Sequence, residues 1–271
     1  MCGRSFKEHL SKVLSQKEID ALHSSLEIIG HIAILKLPEE LLPKAKDIAS
    51  ALMTAHKSIH TVLRQSSPVD LEFRLRQLKY VAGIESTVTT HREHGCVFNV
   101  DPTLVYFSPR LQFEHLRVAR QIQPGETIVN LFAGVGSFSI AAAKKAQPAK
   151  VYSIDINAAA VRFMRENIRL NKVEGIVEAL EGDARLVVHE HLVGVADRVL
   201  MPLPEKAHDY LDVTLEALKP RGGVIHYYDF HHVVKGEKIP ITLEEAVSPR
   251  LQQLGVSFTI PFARIVRSTG P

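Results

Sequence analysis

Tryptophan is missing from this chain, and cysteine occurs only twice, as Cys2 and Cys96. Two thiols cannot make a disulfide framework, so the fold must be held by its core, and a reducing compartment is the simpler setting. Long apolar runs are missing too. The least polar stretch, 128–143, is broken by glycines, and Met1-Cys2-Gly3-Arg4-Ser5-Phe6-Lys7-Glu8 lacks the apolar core of a signal peptide. A cytoplasmic protein with no membrane partner is expected. Charge of one sign is not in excess: 33 Lys and Arg stand against 30 Asp and Glu, and a pI near 8.8 permits contact with nucleic acid without requiring it. The paired ligand spacings of zinc sites are also lacking. His91, His94 and Cys96 lie close together, but β-rich runs on both sides make that segment a hairpin turning at Gly95, and His231-His232 is a lone pair, so no metal is expected.

What the chain does have is 271 residues with 45% hydrophobic content, enough for one large core or two modest ones. Residues 5–23 are polar with scattered Leu10, Leu14, Ile19 and Leu22, which predicts short helices. Residues 26–37 read as one strand closed by Pro38. A helix then runs from Glu39-Glu40 to about His56, with Leu42, Ala45, Ile48, Ala49 and Leu52 on one face. A strand at 58–64 and the hairpin of 86–90 with 97–100 complete an α+β module, placed at 1–100. Within it, 71–78 alternates apolar and charged residues, which puts Arg74 and Arg76 on one side of a strand. After Pro109 the spacing turns helical, with Leu111, His115 and Val118 near one face. Arg110, Glu114 and Arg117 lie along another, where a surface ion pair between Arg110 and Glu114 is the plain reading.

The stretch Asn130-Leu131-Phe132-Ala133-Gly134-Val135-Gly136-Ser137-Phe138-Ser139 organises the rest. It joins an apolar run, 127–129, to an alanine-rich helix, and Gly134 and Gly136 let the backbone approach a ligand beside free helix N–H groups. An ordinary tight connection would look the same. A second β-rich run, 151–154, however, ends in Asp155 about twenty residues after the glycines, where nucleoside-binding folds place the acid that holds ribose hydroxyls. A nicotinamide fingerprint would want a third glycine where Ser139 stands. The acidic turn Glu181-Gly182-Asp183-Ala184-Arg185 follows a third strand and could meet an adenine amine.

Further elements are a helix over 157–171 with Val161, Met164, Ile168 and Leu170 inward, and a strand over 197–201 ending in Pro202-Leu203-Pro204, whose carbonyls would face the cleft. A helix over 206–218, a strand over 224–228, a helix over 242–254 and closing strands over 256–260 and 263–267 follow. Alternation of strand and helix predicts a mostly parallel, Rossmann-like α/β unit over 101–271 with ligands at the carboxyl ends of its strands.

Three segments, Tyr106-Phe107-Ser108-Pro109-Arg110-Leu111 with Glu114, the glycine turn from Phe132 to Phe138, and 87–96, resemble the tRNA guanine-37 N1-methyltransferase family of class I S-adenosylmethionine enzymes. The resemblance spans about Leu26 to the C-terminus; the extra N-terminal domain of longer members is expected to be absent. It implies S-adenosylmethionine as cofactor and the anticodon stem-loop of tRNA as partner; the expected oligomeric state is a monomer. It implies Glu114 as general base, Arg74 or Arg76 as the cation that stabilises charge on the base, and Arg110 beside them. For the cofactor it implies Tyr106, Phe107, Arg110, Phe132, Ala133, Gly134, Gly136, Asp155, Ile156, Asp183, Ala184 and Pro202. Where many members have Asn-Leu-Pro, this chain has Pro202-Leu203-Pro204. Guanine N1 carries a proton at neutral pH, so methylating it calls for a carboxylate and a cation, which is what these residue types supply. The alternatives are the wybutosine-pathway aminocarboxypropyl transferase acting at the same tRNA position and a noncatalytic RNA-binding relative.

Overall fold

The computed structural model describes residues 4–22, 26–67, 74–230 and 239–266. The chain divides into two compact units, Met1–Arg110 and Leu111–Pro271, with residues 101–110 in the first.

The first unit comprises α1 (Arg4–Leu10), α2 (Gln16–Ala21), β1 (Leu26–Ile29), β2 (Ile32–Leu35), α3 (Ala45–Ala55), β3 (Thr61–Gln65), β4 (Leu78–Gly83), β5 (Thr89–Glu93) and β6 (Cys96–Val100). Strands β1 to β4 form a sheet in chain order, with β2 and β3 parallel and the outer pairs antiparallel. Leu35, Ile48, Leu52 and Val62 share a core with Phe6 and Leu10. The expected single strand over 26–37 is instead a hairpin. Gly30 takes φ +54°, and a side chain there would come within 2.2 Å of Thr89 Oγ1, so the turn needs glycine both for its backbone and for its closeness to β5. The helix expected from Glu39 opens as a 3-10 stretch, Glu39–Lys44, because Pro43 has no N–H to give an α-helical ladder.

The strand expected over 71–78 is not found where it can be seen. Residues 71–73 lie outside the described residues, 74–77 are irregular, and Arg74 sits at φ +54°, which breaks the alternation; pairing starts only at Leu78. The hairpin of β5 and β6 turns at His94-Gly95, both at positive φ, as a tight two-residue connection requires.

The second unit contains α4 (Gln112–Ala119), β7 (Thr127–Asn130), α5 (Ser137–Ala146), β8 (Lys150–Asp155), α6 (Ala158–Asn171), β9 (Val177–Glu181), α7 (Ala184–Val187), β10 (Arg198–Met201), α8 (Pro204–Ala207), α9 (Leu211–Ala217), β11 (Val224–Tyr227) and α10 (Ile239–Gln253). Its sheet is wholly parallel in the order β11-β10-β7-β8-β9. The chain starts at the central strand, builds one side and then returns to build the other, so the order reverses between β7 and β10. That point, at the carboxyl ends of the strands, is where this architecture opens a crevice.

Expectations fail at several points in this unit. The helix over 206–218 is broken into α8, a 3-10 turn at His208–Tyr210, and α9. Leu170, expected inward, is 46% exposed, because the apolar stripe of α6 runs through Val161, Met164 and Ile168 with Asn167 and Asn171 buried beside them. The tail forms no closing strands within 256–266; Val256 and Phe258 cover the core without pairing, and Arg267 lies outside the described residues.

Candidate active site

The glycine turn is held from both sides by neighbouring strands. Leu131 N–H donates to the Leu200 carbonyl on β10 (3.0 Å) and Ala133 N–H to the Ile154 carbonyl on β8 (2.8 Å). Gly134 and Gly136 sit at φ +56° and +90°. A side chain at Gly136 would press on Met164 and Ile140 at 3.1 and 3.2 Å. Asp155, at the end of β8, accepts from Gly134 N–H at 2.6 Å through Oδ2 and from Asn157 N–H at 2.9 Å through Oδ1. Its carboxylate thus fixes the turn and the start of α6, while each oxygen keeps a second lone pair for a hydroxyl. Burial pushes the Asp155 carboxyl up against the opposing pull of the Asn157 and Gly134 N–H groups.

Ser139, at the place of a third glycine, is fully buried and has a task of its own. It accepts from Asn130 Nδ2 (3.1 Å) and from Ser153 Oγ (2.7 Å), which pins α5 to β7 and β8.

Asp183 caps α7 through a bond from Arg185 N–H (2.7 Å), and its other oxygen accepts from the Tyr210 hydroxyl (3.4 Å). Tyr210 meets Phe132 edge to face at 5.0 Å and lies under the Arg185 guanidinium at 4.7 Å. Nothing in the local sequence around Tyr210 singles it out. Ile156, next to Asp155, is 59% exposed, whereas Ala184 is buried in the core. At the end of β10, Pro202 leads into α8, and the Leu203 carbonyl expected to face the cleft instead accepts from Lys206 and Ala207 N–H at 3.1 and 3.0 Å.

Glu114 departs most from its surface reading. It is 3% exposed, and its partner is Arg117, whose Nε donates to Oε2 at 2.9 Å and whose Nη2 donates to Oε1 at 2.5 Å. Tyr228, just past β11, donates its hydroxyl to Oε1 at 2.7 Å. Burial pushes the Glu114 carboxyl up, but the hydrogen bonds from Arg117 and Tyr228, with the charges of Arg117 and Arg264, outweigh it and hold the group below its usual range. Desolvation and the neighbouring carboxylate push the Tyr228 hydroxyl far up, so it stays a donor. Close by in the sheet, Arg198 makes a two-pronged pair with Glu126 (2.8 and 2.9 Å) and donates to His226 Nε2 at 2.8 Å. Burial and the Arg198 charge push His226 down to about 3, so its ring is neutral.

In the first unit, Arg74 and Arg76 part company. The Arg74 guanidinium lies over the Tyr106 ring at 4.4 Å, while Arg76 is paired with Glu27 on β1. Ser108 Oγ reaches the same carboxylate at 3.4 Å, and Arg110 Nη2 reaches the Leu26 carbonyl at 3.4 Å. Phe107 is buried against His91 and Phe98. Among the described residues, no group of three or more His, Cys, Asp or Glu could hold a metal, and no helix is long and apolar enough to cross a membrane.

Comparison with known proteins brings these parts under one heading. Residues 89–254 match the TRM5/TYW2 methyltransferase domain, and residues 6–87 match the TYW2 N-terminal domain. The chain is 40% identical over 250 residues to tRNA (guanine(37)-N(1))-methyltransferase Trm5b of Pyrococcus abyssi, covering 92% of this chain and 72% of that protein. It is 35% identical over 247 residues to tRNA 4-demethylwyosine(37)-methyltransferase Taw21 of Saccharolobus solfataricus, covering 91% and 89%. Among solved structures it resembles aTrm5 in complex with tRNALeu, with TM-score 0.83, 33% identity and coverage of 98% of this chain and 74% of that one. It also resembles TYW2 of M. jannaschii in complex with AdoMet, with TM-score 0.60, 30% identity and coverage of 83% and 85%. The parallel sheet with its glycine turn, the smaller α+β unit before it and these matches over nearly the whole length agree: the chain belongs to the TRM5/TYW2 methyltransferase family.

Proposed function

We propose that the protein is an S-adenosylmethionine-dependent tRNA methyltransferase that methylates N1 of guanine 37, beside the anticodon, and that it acts in the cytoplasm as a monomer. The observation that carries this reading is Glu114, a buried carboxylate kept ionised by Arg117 and Tyr228 in the same unit as the glycine turn.

The residues around that turn suit an adenosyl group. Asp155 offers ribose hydroxyls the remaining lone pairs of both oxygens, Gly134 and Gly136 leave room for close approach, and the exposed Ile156 is an apolar surface that a nucleoside base would cover. Phe132, Ala133 and Asp183 complete that assignment, with Ala184 and Pro202 supporting it through the backbone they place. Bound there, S-adenosylmethionine supplies a methyl group activated by its sulfonium. Glu114 takes the proton from guanine N1 as the nitrogen gains the methyl, since a protonated N1 has no lone pair to share. A cation is needed for charge spreading onto O6. The two candidates for that role are Arg74, whose guanidinium lies over the Tyr106 ring, and Arg76, which is paired with Glu27.

One further methyl acceptor is favoured by a specific observation. The match to the TYW2 N-terminal domain, the coverage of 89% of Taw21, and Pro202 in place of an amide side chain fit 4-demethylwyosine as a second substrate. Incubation with S-adenosylmethionine and tRNA carrying either base at position 37, followed by mass spectrometry of nucleosides, tests both. N1-methylguanosine is the expected product on the unmodified tRNA. An aminocarboxypropyl adduct without methylguanosine, or no product at all, would overturn the assignment.

A further inference from the structure

Besides helping to keep Glu114 ionised, Tyr228 is the only residue from outside α4 with a direct hydrogen bond to Glu114 among the described residues. Its position is built rather than incidental. The phenol ring packs against Phe138 at 5.9 Å between centroids, and Phe138 in turn meets His115 edge to face at 4.5 Å. Phe138 belongs to the first turn of α5, immediately after the glycine turn. The end of the last sheet strand, the start of the cofactor helix and α4 therefore meet at one side chain.

The bonds on Glu114 are unevenly shared. Oε1 accepts from both Arg117 Nη2 and Tyr228, which fills its two lone pairs, whereas Oε2 accepts only from Arg117 Nε. A carboxylate with one saturated oxygen and one open lone pair has a single place to receive a proton. We infer that Tyr228 is a positioning residue: by occupying Oε1 it directs the incoming guanine N1–H to Oε2 of Glu114. The inference rests on Glu114 being the general base. In the step, the N1–H bond breaks as the Oε2–H bond forms, the N1–CH3 bond forms as the S–CH3 bond breaks, and S-adenosylhomocysteine leaves uncharged. The titratable and charged groups that face Glu114 are Arg117 on α4, Tyr228, Arg264 of the C-terminal segment and, through charge alone, His226 on β11. Of these, the Tyr228 hydroxyl is the uncharged donor to Glu114, and its loss leaves the cations in place.

Tyr228→Phe keeps the ring on Phe138 and removes only the hydroxyl. With guanine-37 tRNA its turnover should fall by about tenfold or more, the cost of a hydrogen bond to a charged group, while S-adenosylmethionine affinity holds. The acid limb of its pH–rate profile should move to higher pH, because Glu114 loses a donor that favours its ionised form. Carbon-13 NMR of glutamate carboxyls, with Glu114→Gln identifying the resonance, should show the same upward move without any turnover. Combined with Glu114→Gln, the tyrosine change should add no further loss, since a residue acting only through Glu114 has nothing left to act on. An unmoved acid limb and resonance, additive losses, or an equal loss of cofactor affinity would each overturn the positioning role. Full turnover in Glu114→Gln alone would instead overturn the assignment of the base.

Discussion

The glycine turn and the Glu114 cluster lie in one unit and are built in opposite ways. The turn is mostly backbone: a short contiguous stretch with Gly134 and Gly136 at positive φ, held by main-chain bonds to β8 and β10 and by one carboxylate, Asp155, 21 residues on. The cluster is side chains only, and it joins Glu114 to a tyrosine 114 residues away. A backbone site is shaped by where glycine is needed, so it tolerates change only at the positions that leave φ alone. A side-chain site depends on partners the chain brings together late, and any one of them can be altered without disturbing the local fold. Damage to the cluster should therefore appear in chemistry and damage to the turn in binding.

The largest effect should come from the cluster. Glu114→Gln keeps the shape and can still accept from Arg117, but it cannot take a proton. Turnover should drop by roughly a hundredfold or more, with S-adenosylmethionine affinity nearly constant in calorimetry. The pH dependence follows from the direction of the shift. Because Glu114 is held below the usual carboxylate range, the proposed base stays ionised through neutrality, and the rate should decline only as pH falls through that lowered value. The ion pair's contribution to stability, present above the carboxylate's unfolded-state pKa, should fade over the same acidic window. A wild-type rate that climbs steeply between neutral and alkaline pH would point to a different base.

A smaller effect, of the other kind, is expected at the turn. Asp155→Ala removes the acceptor of Gly134 and Asn157 N–H together with the proposed place for ribose hydroxyls. The loss of a charged hydrogen-bond partner amounts to about 1.5–3 kcal/mol, so the dissociation constant for S-adenosylmethionine should rise by roughly ten- to a hundredfold. At saturating cofactor the turnover should recover. If it stays low instead, the separation of binding from chemistry drawn above does not hold.

The smallest effect should lie beneath both regions. Ser139→Ala takes away the acceptor of Asn130 and Ser153 in a fully buried place, costing about 1–2 kcal/mol of stability, read as a lower urea midpoint at unchanged slope. A glycine there would lose the same bonds, so Ser139→Gly should be no better tolerated, although a nicotinamide fingerprint has glycine at this position.

The sequence alone determined what depends on neighbours along the chain. Gly134, Gly136 and Asp155 could be read because φ preference, strand periodicity and the strand-to-strand spacing are local properties, and the parallel order of strand and helix follows from the same regularities. The hairpin at His94-Gly95 was legible for the same reason. Tertiary structure alone decided what depends on which side chains meet. The helical spacing of Arg110 and Glu114 suggested a surface pair, but Glu114 turned out buried because α4 packs this face against Phe138 and Tyr228, and burial in turn demanded Arg117 and the tyrosine hydroxyl as partners. Arg74 and Arg76 looked equivalent by alternation until the positive φ of Arg74 sent one to Tyr106 and the other to Glu27. Tyr210 and Tyr228 carry no local signal, since the partners that give them meaning, Asp183, Phe132 and Glu114, come from distant segments of the chain. Periodicity assigns a residue to a face of its own element; only packing determines what that face will meet, and with it the protonation, donors and open lone pairs on which the chemistry depends.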